Sequence, residues 1–89
     1  LTGLKELSFH FLGLHHIFPG SFVDLQSLER LDLGSNSLTA LNVDTFVGLT
    51  SLQSLSIAQN ELTTLEVGLF SSVKNLTEIK CNDNSITSL

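Results

Sequence analysis

The residues with the most evident chemistry are His10, His15 and His16, because imidazole binds transition metals and titrates near neutrality. Their spacing argues against a shared site. His10 falls in a stretch that alternates apolar and polar residues, and His15 and His16 occupy the segment after it. Adjacent residues of an extended chain point to opposite sides, so the three rings do not converge and no metal site is assigned. Ser, His and Asp are all present, yet nothing sets a nucleophile beside a base and an orienting group. Asp32 and Glu78 fall two strand units apart at different heights, which removes paired-carboxylate catalysis. No enzyme activity and no cofactor are therefore expected. Cys81 is alone, so neither a disulfide within the chain nor a cysteine cage for a metal can form. Its place in the repeat reads as a small buried hydrophobe. Asn75-Leu76-Thr77 is the only N-x-[ST] sequon, placed just before a strand unit where Asn75 is expected to be exposed.

Composition narrows the partners. Apolar residues make up 42% of the chain, too many for a disordered segment. They recur every two or three positions, so no run approaches the roughly 20 apolar residues of a membrane helix, and no membrane contact is expected in this segment. Nothing at Leu1-Thr2-Gly3-Leu4 resembles a signal peptide. Nine acids against four bases leave a net charge of −5. Lys5, Arg30, Lys74 and Lys80 are scattered among acids rather than gathered on one face, which disfavours nucleic acid as a partner.

The elements that must position these side chains come from a repeat. Leu4, Leu28, Leu52 and Leu76 are 24 residues apart. Leu7, Leu31, Leu55 and Ile79 keep the same interval, as do Phe9, Leu33, Ile57 and Cys81. Leu14, Leu38, Leu62 and Ile86 continue it, followed by Ile17, Leu41, Leu65 and Leu89. Leu1, Leu25, Leu49 and Val73 form a further column, and Phe22, Phe46 and Phe70 another. No insertion breaks the register. A single array over residues 1–89 is expected, with strand units starting near Leu4, Leu28, Leu52 and Leu76.

Each column has a physical role. Residues around the second Leu of each unit alternate in and out, as in a short strand of three or four residues. Successive strands are expected to pair in parallel at about 4.8 Å, giving a curved sheet about 15 Å wide. Inward leucines stack, each contributing about 1.5–3 kcal/mol when fully buried. Where the chain leaves the sheet, buried backbone groups need partners. Asn36, Asn60 and Asn84 can supply them, because a carboxamide both donates and accepts. Phe22, Phe46 and Phe70 are expected to fill the convex side as an aromatic column. Pro19-Gly20 breaks any long helix there, which predicts extended or brief 3₁₀ structure.

The third, fifth, seventh and eighth positions of each unit are expected to face outward on the concave side. They are Glu6, Ser8, His10 and Phe11, then Arg30, Asp32, Gly34 and Ser35. The next units add Ser54, Ser56, Ala58 and Gln59, then Glu78, Lys80, Asn82 and Asp83. Small residues at the centre with charges around them would admit a loop of a protein ligand; the alternative is a solvated sheet surface that binds nothing. Phe11 reads either as an interface anchor or, because Leu12 replaces the expected Asn beside it, as a residue buried by a rearranged turn.

The unit Leu28-Glu-Arg-Leu31-Asp-Leu33-Gly-Ser-Asn36-Ser-Leu38 matches the pattern L-x-x-L-x-L-x-x-N-x-L of leucine-rich repeats at every fixed position. Leu52 to Leu62 matches with Ile57 for Leu, and Leu76 to Ile86 matches with Ile79, Cys81 and Ile86 substituted. Leu4 to Leu14 keeps the apolar framework but carries Leu12 at the Asn position. The chain thus resembles the typical class of leucine-rich repeat found in Toll-like receptors, Slit proteins, small leucine-rich proteoglycans and lamprey variable lymphocyte receptors. That resemblance implies an α/β-type solenoid, a right-handed horseshoe with short parallel strands on its concave face and an irregular or 3₁₀ convex side. It implies an extracellular module, secreted or part of a membrane receptor, that binds protein or another macromolecular ligand. Of these families it is most similar to a Toll-like receptor ectodomain of innate immunity, with a secreted matrix or guidance protein and an antigen-binding lymphocyte receptor as alternatives. An extracellular setting would make Asn75 a glycosylation site. Start and finish both fall part-way through a turn without a polar or cysteine-rich cap, which predicts an uncapped fragment of a longer solenoid. Such ends predict homodimers or end-to-end self-association in the isolated chain.

Overall fold

A computed structural model of the chain describes residues 3–66 and 68–86; Leu1 and Leu89 of the repeat columns lie outside them. Four strands form one sheet: β1 (Glu6–Ser8), β2 (Arg30–Asp32), β3 (Ser54–Ser56) and β4 (Glu78–Lys80). They pair in parallel in sequence order. Glu6 aligns with Arg30, Arg30 with Ser54 and Ser54 with Glu78, so each pairing is offset by one repeat. The parallel sheet expected from the columns is observed, and it fits the horseshoe architecture that the resemblance implies.

Each strand has three residues, with the central Leu7, Leu31 and Leu55 packed in the core, whereas Ile79 of β4, expected in the same inward column, is 38% exposed because β4 has only β3 beside it. Backbone bonds extend the pairing slightly on either side. Phe9 N–H donates to Asp32 O at 2.8 Å, Leu33 N–H to Ser56 O at 2.8 Å and Ile57 N–H to Lys80 O at 2.8 Å.

The core lies between the sheet and the convex turns. Leu28, Leu33, Leu38, Phe46, Leu49, Leu52, Leu55, Ile57 and Leu62 are all completely buried. These residues belong to the two middle units, which are covered on both sides. Leu4, Leu7, Phe9 and Leu14 in the first unit, and Leu76, Cys81 and Ile86 in the last, are only partly buried against the same cluster. A layer covered on one side removes less apolar surface from water and contributes correspondingly less.

The α component of the expected α/β-type solenoid is absent: among the described residues the convex side contains turns and no helix. The turns repeat nonetheless. Leu25, Leu49 and Val73 donate to Phe22, Phe46 and Phe70 at 3.0, 3.3 and 3.1 Å, a three-residue reach of 3₁₀ type. The phenylalanine column is discontinuous. Phe46 and Phe70 stack with centroids 6.1 Å apart, whereas Phe22 pairs with Phe9 at 6.5 Å. Phe9 stands where the other units carry Leu33, Ile57 and Cys81, so its larger ring brings an aromatic neighbour inside the first layer.

Candidate functional site

The outward side chains of β1 to β4 form two rows across the sheet. Glu6, Arg30, Ser54 and Glu78 make one row, and Ser8, Asp32, Ser56 and Lys80 the other, each member aligned with the next by the strand register. Between them lies an open depression of ≈ 390 Å³, lined by Glu6, Ser8, Arg30, Asp32, Ser54, Ser56 and Lys80 with Leu7 and Leu31 behind. β3 contributes only two hydroxyls, and charges of both signs flank it.

These charges are lightly held. Arg30 Nη1 lies 3.6 Å from Glu6 Oε2, with both side chains about two-thirds exposed. Ser54 Oγ donates to Glu78 Oε1 at 3.1 Å. Exposed ion pairs of this kind contribute about 0–1 kcal/mol, so they hold these side chains only weakly.

The sixteen outward residues do not form one surface. The third and fifth positions line the groove, while the seventh and eighth lie past the strand ends in the turn. Phe11, Ser35, Gln59 and Asp83, all at the eighth position, adopt φ values of 61, 57, 56 and 59°. This left-handed step swings the backbone off the sheet and makes a ledge along the groove. No glycine marks the step, so residue type offered no signal for it; only the fixed place in the repeat did. Ser35 Oγ donates to Gln59 Oε1 at 2.5 Å along the ledge, and Asn82 Nδ2 donates to Asp83 Oδ2 at 2.9 Å. Gly34 is buried because its N–H donates to Asp32 Oδ1 at 2.8 Å, and a Cβ there would sit 3.0 Å from that same oxygen.

Phe11 is 75% exposed, with the His10 ring packed edge-on at 4.4 Å. The rearrangement expected from Leu12 does not occur, and Phe11 is not buried. Asn36 of the next unit holds the first turn instead: its Oδ1 accepts from Leu12 N–H at 3.0 Å and Leu14 N–H at 3.1 Å. The ladder therefore works across units, and a unit keeps its turn when the following unit carries the Asn. Asn60 and Asn84 repeat the arrangement, accepting from Leu38 N–H at 3.0 Å and Leu62 N–H at 3.1 Å.

His10 Nδ1 lies 3.6 Å from Asp32 Oδ2 and both are exposed, while His15 and His16 belong to the following segment. Among the described residues no three His, Cys, Asp or Glu side chains cluster to hold a metal ion. Asp32 and Glu78 stand on β2 and β4 with β3 between them. Cys81 is a free thiol packed against the core cluster. Sequence reasoning missed a second, mostly apolar depression of ≈ 200 Å³ lined by Phe9, Leu14, His16, Ile17, Phe18 and Phe22. Phe18, 78% exposed, follows Ile17 outside the recurring columns, so periodicity gave no reason to single it out.

Asn75 is exposed on the edge just before β4. Its Nδ2 donates to Thr50 O at 2.8 Å, and Thr77 Oγ1 donates to Gln53 O at 3.1 Å.

A family model described as "Leucine rich repeat" matches residues 2–62. Among solved structures, a crystal structure of a TLR13–ssRNA13 complex matches with a TM-score of 0.91 and 39% sequence identity over 96% of this chain. This chain spans 12% of the length of the matched one. None of the curated proteins matches it by sequence.

Proposed function

The chain belongs to the leucine-rich-repeat family, and on that premise we propose that it is a ligand- or protein-binding segment of an extracellular, Toll-like innate immune receptor. The observation that carries this reading is the likeness to the TLR13 structure over nearly the whole chain. The groove over β1 to β4 is the binding surface: Ser54 and Ser56 leave room beside its charged residues, and Arg30, Asp32 and Lys80 orient what enters. A protein loop with charges of both signs complements it. Electrostatic matching of this kind sets register and partner choice more than affinity. Phe11 on the ledge supplies an apolar contact beside the groove.

The test is the parent transcript, sequenced through its 3′ end. A membrane span followed by a soluble signalling domain is expected. A capped repeat array that simply ends would sink the receptor reading and favour a secreted matrix or guidance scaffold.

A second reading, RNA as the ligand, is favoured by the RNA in the matched complex. The charge of this segment weighs against it. Net charge is −5, and Arg30 already faces Glu6. A nucleic-acid site gains its affinity from concentrated Lys and Arg that displace counterions. A single-stranded RNA oligonucleotide titrated against the parent ectodomain at rising salt is expected to give the same curve for wild type, Arg30→Ala and Lys80→Ala. Affinity that falls with salt and weakens in both variants would move the assignment to RNA.

A further inference from the structure

We propose that Phe18, Pro19, Val23, Val43 and Val47 make a second docking surface, on the convex side, for a protein that presents aliphatic side chains among lysines and arginines. It shares no residue with the concave groove and does not depend on what the groove binds.

Phe18 stands at its centre. The ring is exposed, yet its backbone is held in a turn. Ser21 N–H donates to Phe18 O at 3.2 Å, Ser21 Oγ donates to the same oxygen at 2.6 Å, and Gly20 takes φ 80°. Proline second and a left-handed glycine third make Phe18-Pro19-Gly20-Ser21 a turn of type II. Gly20 N–H also donates to Asp44 O of the following convex turn at 3.2 Å. A partner that meets a ring on so constrained a backbone has little chain entropy to remove.

Stacking of repeats does not account for the ring. Asn42 and Glu66 hold the same place in the next two units, and both are exposed although a unit packs against each from the N-terminal side. A further unit stacked before the first would likewise cover the columns of Phe9, Leu14, Ile17 and Phe22 and leave this place open. What remains for the ring is a contact with another molecule, where aromatic anchors are enriched.

The surroundings extend the patch. Pro19 and Val43 are one repeat apart, as are Val23 and Val47, and all four are exposed. Their two turns touch, through the Gly20–Asp44 bond and where Gly48 lies against the backbone of Val23. In the third turn Glu66 and Ser71 take the places of Phe18 and Val23, so the apolar strip ends there. A bounded apolar patch with a polar rim marks an interaction site.

Charge selects the partner. The convex segments 13–24, 37–48 and 61–72 carry Asp24, Asp44, Glu61 and Glu66 and no Lys or Arg; His15 and His16 are their only other ionisable side chains. Asp24 and Asp44 are exposed and directly follow Val23 and Val43. Lys5, Arg30, Lys74 and Lys80, the four bases of the chain, all lie outside these segments. A second copy of the chain would set acid against acid here, and a nucleic acid or anionic membrane would be repelled in the same way. A basic protein surface with aliphatic side chains complements both the patch and its rim.

In the experiment, the parent protein is titrated with two fluorescein-labelled amphipathic helices, one of leucine and lysine and one of leucine and glutamate, and binding is read by anisotropy. The lysine helix is expected to bind and the glutamate helix to stay free. Phe18→Ser removes a ring that lies outside the core, so the unfolding midpoint is expected to hold while affinity for the lysine helix falls about tenfold. Asp24→Lys combined with Asp44→Lys is expected to reverse the preference, the glutamate helix then binding tighter. Equal binding of both helices, binding of neither, or lysine-helix binding that Phe18→Ser leaves intact overturns the proposal. A preference that survives the double charge reversal overturns it too. So does a midpoint that falls together with affinity in Phe18→Ser, which would make the ring a part of the fold.

Discussion

Asn60→Ala lowers the unfolding free energy by about 2–4 kcal/mol, from one orphaned donor and several weakened contacts. Asn60 is buried, and its Nδ2 donates to Leu33 O at 3.0 Å, Ile57 O at 3.1 Å and Ala58 O at 3.1 Å. Each of these carbonyls keeps another partner when Asn60 is lost. Leu33 O still accepts from Asn36, Ile57 O from Asn84, and Ala58 O from Ser35 N–H. The N–H of Leu38 has no such alternative, because Asn60 Oδ1 is its acceptor at 3.0 Å in a buried turn. An unpaired buried donor costs about 1–3 kcal/mol, and that term dominates the loss. Asn60→Asp restores an acceptor for Leu38 but sets a carboxylate against three carbonyl oxygens. It is therefore expected to be no more stable than the alanine variant. Equilibrium urea unfolding checks both; a midpoint shift worth less than about 1 kcal/mol for Asn60→Ala would mean that water replaces the carboxamide adequately.

Gly48→Ala is expected to cost about 2–5 kcal/mol, the sum of backbone strain and a clash that nothing flexible can relieve. Gly48 has φ +100°, and a Cβ there would stand 2.5 Å from both Cα and O of Val23 and 2.8 Å from its carbonyl carbon. All three are backbone atoms of the preceding convex turn, so the two turns must separate to admit a methyl group. Gly68→Ala provides the control. Gly68 has φ +82°, but the nearest atom to its added Cβ is Ser71 Oγ at 4.0 Å. The control pays only the left-handed penalty, about 1–2 kcal/mol. The difference between the two midpoints thus isolates the close approach of successive turns. Equal losses would show that strain accounts for everything and that the contact with Val23 relaxes freely.

Both predictions concern contacts between neighbouring turns, and such contacts separate what was legible in the residues from what was not. The stacking of Leu28 on Leu52, or of Leu31 on Leu55, follows from a period alone. A side chain that recurs every 24 residues in a chain of one fixed turn length must meet its own equivalent, whatever path the turn takes. The parallel register, the buried middle layers and the outward rows Glu6 to Glu78 and Ser8 to Lys80 are consequences of that period and of strand alternation. The asparagine ladder was legible for the same reason, since a recurring carboxamide at a turn implies backbone groups that need it.

The amino-acid sequence by itself therefore determined the family, the repeat length, the order of the strands and most of the core, though Ile79 of the inward column is exposed and the buried Leu69 and Thr45 lie outside the columns. Tertiary structure alone decided how one turn leans on the next. It placed Asn36 under the turn of the first unit, so that Leu12 does no damage and Phe11 stays exposed. The four eighth-position residues take a left-handed step there, parting the ledge from the groove. Phe22 turns toward Phe9, and Asn75 and Thr77 bind carbonyls of the preceding turn. The physical reason is common to all of these. Apolar burial is non-directional and depends on which residues face inward, which periodicity encodes. Hydrogen bonds and backbone approach depend on the position of particular atoms to within a few tenths of an ångström, and those positions exist only once the turns have stacked.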